Sequence, residues 1–234
     1  MFLEKLKSII EKEQQHFLEN TNSKLTCMTL VHMTFNLHSR FDECVAQSQE
    51  YFCDNQRKAL TGIFSNLENE HVMVCLSLLR GHWRNMWTTG RRQVELCAFA
   101  FECAQNKESA KKWLRADDSK KKENSYKFRF PAHEIVRKHL SRGSDSEADS
   151  LYYFYDRCCM MVHPSLHSTL LFELDPGEIA IDRHLSLSCT MYARMLWILV
   201  SETAISNSKF SDFEKEYRGL LGVWDAHGEG RLNL

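Results

Sequence analysis

Apolar residues recur along this chain at intervals of three and four, the spacing that lines one face of an α-helix. Phe2, Leu3, Leu6, Ile9, Ile10 and Phe17 predict a first helix that fades at Asn20–Ser23. A second is expected from about Lys24 to Glu50, with Leu25, Met28, Val31, Phe35 and Cys44 on its apolar face. A short helical segment follows around Gln56–Asn66. The stretch Asn69–Asn106 is helical apart from Gly81 and Gly90, and it predicts two helices with a break near Thr88–Gly90. Pro131 suits the first turn of a short helix that Gly143 ends. Ser150 or Asp149 then caps a helix beginning LYYFYDRCCMMVH, which Pro164 stops at about His163, because the residue before proline is pushed out of the α region. After a loop at 164–182, a buried helix is expected from about His184 to Ser206. The last helix starts at the capping-box pattern Ser211-Asp-Phe-Glu214.

These elements imply an all-α fold, a single bundle of about seven or eight helices over residues 1–226. Only 3 prolines and 9 glycines punctuate the 234 residues, too few for the many turns of a sandwich or barrel. A chain of this length buries enough surface to need no metal or disulfide for its core. Residues 143–149 read as a flexible polar loop and 227–234 as a disordered tail. No apolar run is long enough for a membrane span, since Arg194 interrupts the longest, near Met191–Val200.

Charge adds one local feature. The net charge of −1 implies no global attraction to nucleic acid or membrane. Between 107 and 130, however, nine lysines and arginines stand against four acidic residues, a local balance of +5. This basic connector, with Lys120, Lys121 and Lys122 at its centre, reads as a solvated linker or as a docking site for RNA or an acidic protein. The 9 cysteines lie mostly among apolar residues, at no zinc-type spacing. They are expected to be reduced, buried thiols, which places the chain in the cytoplasm.

The richest segment for chemistry is 152–167, YYFYDRCCMMVHPSLH. Tyr152, Asp156, Cys159 and His163 fall on one helical stripe, with Asp156 within about 20° of His163 and Arg157 about 120° from it. His163 at a helix C-terminus sits where the dipole favours its charged form, which suits acid–base work. On a preceding helix, Arg91 and Glu95 are spaced to pair, and the apolar stretch after them suggests that both are partly buried. A third set, Glu95, Asp156, His163 and His167, contains metal-ligand types, but no H-E-x-x-H or related spacing supports it, and no cofactor is expected.

Arg91–Glu95 followed by a charged connector and by Tyr155–Ser165 resembles a group of bacterial all-helical proteins. The second motif is also similar to the HEPN superfamily, whose mark, Arg-x4-6-His, would here be Arg157 and His163. The resemblance implies a metal-independent RNA endonuclease of a prokaryotic defence or toxin system, commonly a homodimer. His163 would then be its acid–base group and Arg157 its phosphate stabiliser, with Asp156 beside them. Tyr152, Arg91, Glu95, Ser165 and Lys120–Lys122 would contact substrate. The competing expectation is a non-catalytic helical module that binds a protein or small ligand, in which Arg91, Glu95, Asp156 and His163 form a structural polar network.

Overall fold

A computed structural model of the chain describes residues 2–23, 25–118, 131–141, 143, 146–162, 181–203 and 208–226. Nine α-helices and one 3-10 turn, with no strand, make up these described residues. They are α1 (Phe2–Ser23), α2 (Leu25–Ser48), α3 (Asp54–Leu79), α4 (Trp83–Gln105), α5 (Lys107–Asp118), α6 (Ala132–Leu140), α7 (Glu147–Val162), α8 (Ile181–Ser201) and α9 (Phe210–Ala226), with the 3-10 turn at Gln49–Tyr51. The all-α reading holds. Of the sites expected from sequence, Lys120, Lys121, Lys122, His163, Ser165 and His167 lie outside the described residues, as does the tail 227–234.

Helix α8 runs Ile181–Ser201 where His184–Ser206 is expected, and α9 begins at Phe210, one residue before the expected Ser211. Three further boundaries differ, each for a local reason. The break expected at Thr88–Gly90 lies at Gly81 instead, and the segments around Gln56–Asn66 and after Asn69 are one helix, α3. Gly81 has a φ of 81°, which costs glycine nothing. Its N–H donates to Leu78 O and the N–H of His82 to Ser77 O, the paired bonds of a Schellman cap. Gly90 stays helical because α7 crosses it: a Cβ there would lie 2.9 Å from the Phe154 ring. Secondly, the basic connector begins as a helix. Asn106 Oδ1 accepts from the N–H groups of Glu108 and Ser109, capping α5. Trp113 then packs on Gly62 of α3, where a Cβ would meet the indole at 3.1 Å. Thirdly, α7 starts within the expected loop 143–149. Ser146 Oγ accepts from the Asp149 N–H and donates to its carboxylate, so Ser146 caps the helix in place of Asp149 or Ser150. The other carboxylate oxygen of Asp149 accepts from the N–H of Gly143, at φ 67°.

Five helices pack around α8. Between Leu185 and Val200 every residue except Ser186, Arg194 and Trp197 is buried, as expected of a helix apolar on nearly all sides. It packs on α2, α3, α4, α7 and α9, and α3 and α4 form a closely packed hairpin beside it. One continuous cluster of buried side chains, including Phe41, Phe101, Tyr155, Tyr192 and Phe213, joins these helices. Arg194 faces Glu147 at 2.9 Å, and Tyr217 donates to the same carboxylate at 2.8 Å, tying α8, α7 and α9 together. No described helix is long and apolar enough to cross a membrane.

Candidate functional site

Of the expected site, Arg91 and Glu95 come together on α4, and α7 adds Tyr155 to them. Arg91 Nε donates to Glu95 Oε1 at 2.9 Å, and the Tyr155 hydroxyl donates to the same oxygen at 3.3 Å. The guanidinium also lies over the Tyr155 ring, 5.9 Å from its centroid. Glu95 is thus held by two donors, one per helix. Burial, with the neighbouring Cys159 and Glu95, pushes the Tyr155 hydroxyl well above its ordinary range, so it remains a donor. Arg91 is partly exposed and Glu95 mostly buried.

Cys159 adjoins this group, interacting with Tyr155 and Arg91, and burial raises its thiol; Tyr152, Asp156 and Arg157 lie outside it. Tyr152 and Cys159 pack at the margin of the core, while Asp156 is exposed. Their stripe runs along the edge of the packed face of α7, so the partner expected of Asp156 is supplied by Tyr155, one residue earlier and turned inward. Arg157 is half-buried on the outer flank of α7, away from the Arg91–Glu95 pair.

Two further clusters carry chemistry that the sequence reading missed. Glu102 on α4 accepts from Ser109 Oγ at 2.7 Å, lies 2.6 Å from Lys138 Nζ and 2.8 Å from His139 Nε2. Burial alone would raise this carboxyl. The hydrogen bonds from Lys138, His139 and Ser109 outweigh it and hold Glu102 at about 2. The order is Ser–Glu–His, with the hydroxyl on the carboxylate and not on the imidazole. It therefore lacks the base-to-hydroxyl contact that activates a serine. What it does is pin α5 and α6 to α4.

The other cluster lies in the core between α2, α3 and α8. A ring nitrogen of His71, Cys75 Sγ and Cys189 Sγ all lie within 4.8 Å of one another, and all three residues are buried. Thr34 donates its hydroxyl proton to Val31 O at 2.7 Å, so it can only accept at the 3.0 Å contact with His71 Nε2. His71 Nδ1 is left with no hydrogen-bond partner. The ring stacks on Tyr192 with centroids 3.9 Å apart and planes 2° from parallel. The Tyr192 hydroxyl lies 2.6 Å from His38 Nδ1, and His38 Nε2 faces Asp42 and Glu68 at 3.6 and 3.7 Å. Burial raises most thiols in the core: Cys44 to about 11 and Cys103 to about 12, with Cys97 and Cys158 also pushed up. Cys75 goes the other way. A hydrogen bond from Cys189, helped by His71, favours its thiolate against burial. The sequence signal was present in His71-x3-Cys75, two metal-ligand types one helical turn apart, but Cys189 is brought to them only by tertiary packing.

Comparison with protein-family models, curated proteins and solved structures finds no match to this chain.

Proposed function

We propose that this chain is a non-catalytic helical module that pairs with a second copy of itself along α7. The observation that carries this reading is Glu95. Its carboxylate accepts from Arg91 within α4 and from Tyr155 on α7, so these polar residues are spent on holding two helices together. Such a network fixes the register of packed helices. It leaves the outer flank of α7 to meet a partner. Tyr153 is 64% exposed and Met160 41%, seven residues apart on one face, with Asp156 and Arg157 between them. An isologous pairing needs a patch complementary to itself. Adjacent opposite charges between two apolar residues meet that need, since an antiparallel crossing sets Asp156 of one copy against Arg157 of the other.

Light scattering across a concentration series tests the pairing. Wild type should approach twice the monomer mass, and Tyr153→Lys with Met160→Lys, which sets like charges against each other, should remain monomeric with its helical signal intact. Asp156→Arg should weaken the dimer, and adding Arg157→Asp should restore it. A wild-type protein that stays monomeric at high micromolar concentration sinks the reading.

A further inference from the structure

The cluster between α3 and α8 is chemically unlike the core around it. A buried imidazole gathered with two buried thiols is a polar set that apolar side chains would avoid. We propose that His71, Cys75 and Cys189 form a buried site for one zinc-type divalent cation, which joins α3 to α8.

Three observations support the site. The first is the donor set: two thiolates and one imidazole are the ligand types that zinc selects. The second is the spacing. A tetrahedral ion with ligand bonds of about 2.0–2.3 Å keeps its donors about 3.5–3.8 Å apart. Cys75 Sγ lies 3.7 Å from His71 Nε2, and the three donor atoms fall within 4.8 Å, a small closure from that arrangement. Nε2, which donates to Thr34 in the metal-free fold, would ligate as the tautomer with its proton on Nδ1, releasing that contact. The third is charge balance. Each thiol gives up its proton to solvent as a sulfur–metal bond forms, and the neutral imidazole donates a lone pair. Two thiolates then cancel a divalent ion, and a dry site stays neutral. A monovalent ion would leave one negative charge in the core. The site draws its ligands from two helices distant in sequence, so the ion binds the folded chain far better than the unfolded one.

Because the ligands are buried, the ion must enter during folding or opening. The test therefore refolds the reduced, metal-free full chain from urea with cobalt, a visible stand-in for zinc. Wild type should take up one cobalt per chain, show a thiolate-to-cobalt charge-transfer band with the visible bands of tetrahedral cobalt, and lose them to added zinc. Zinc should also raise its melting temperature. Cys75→Ser and Cys189→Ser should lose the charge-transfer band and the zinc response, and Cys53→Ser, outside the cluster, should keep both. Wild-type protein that regains its helical signal but binds no cobalt overturns the proposal, whatever the variants do. So does a band that survives in both Cys75→Ser and Cys189→Ser.

Discussion

The α4–α7 cluster and the α3–α8 cluster are built from similar material, and their polar groups are satisfied to different degrees. At α4–α7, Arg91 and Tyr155 both point their hydrogens at Glu95, near enough to the surface for Arg91 to keep part of its hydration. At α3–α8, His71 is sealed in the core beside two sulfurs, with Nδ1 unpartnered. A polar group whose needs are met inside the fold does structural service. A buried trio of ligand types outside such a network marks a place where an ion could gather them. Arg91 and Glu95 thus belong to the first kind, and His71, Cys75 and Cys189 to the second.

The most severe way to break the α4–α7 side is Tyr155→Ala. Tyr155 is 1% exposed, and losing the ring and its bond to Glu95 should cost about 3–5 kcal/mol in urea unfolding. Tyr155→Phe keeps the ring and should cost only about 1 kcal/mol. Equal losses in both would mean that the hydroxyl, not the packing, holds the helices.

The Glu102 cluster offers a second satisfied network, read through pH. Its folded carboxyl sits at about 2 against an ordinary 4.5. A depressed carboxyl stabilises the fold above its unfolded value and loses that contribution as pH falls. On the order of 3 kcal/mol should therefore disappear between about pH 4.5 and 2. His38 adds to acid sensitivity at higher pH. Burial holds its pKa below 6.5, against the pull of Asp42 and Glu68, so protonating it opposes folding as pH drops below that value. In Glu102→Gln the lower step should vanish, measured as a flatter stability curve below about pH 4.5.

The orphaned nitrogen gives a smaller test with the opposite sign. His71→Phe removes it and keeps a ring against Tyr192. The metal-free protein should gain about 1 kcal/mol, because one unsatisfied buried group is gone, and it should show no melting response to zinc. A loss of several kcal/mol would mean that the imidazole is needed for packing without any ion.

Gly90 should give the smallest change. Alanine gains about 1 kcal/mol of helix propensity but is set against Phe154 at 2.9 Å, an overpacking cost of about 1–3 kcal/mol. Gly90→Ala should therefore lower stability by about 1 kcal/mol, and pairing it with Phe154→Leu should reverse the sign. An additive double variant would show that α4 and α7 do not touch there.

The all-α fold was legible because the apolar period of three and four runs through nearly every segment, and the Arg91–Glu95 pair because helical spacing alone sets it. Boundaries were less legible where two cues competed. Gly81 and Gly90 look alike in sequence. Only the cap bonds at Gly81 and the Phe154 ring against Gly90 tell a helix end from a close crossing. Ser146 was passed over because Asp149 and Ser150 are also capping types. Tyr155 was overlooked as the partner of Glu95 because the stripe was drawn through Asp156, although the apolar neighbours Leu151, Phe154 and Cys158 place the buried face nearer Tyr155. The Cys189 contact with His71 and Cys75 had no local signal. It depends on how α8 threads the bundle.

The central claim is that Arg91, Glu95 and the α7 residues beside them perform no chemistry. The most direct measurement is incubation of a mixed RNA pool with a chelator and either wild type or His163→Ala. The account predicts the same background with both proteins and with buffer alone. Metal-independent cleavage by wild type that is lost in His163→Ala would contradict it and put a nuclease in place of the module.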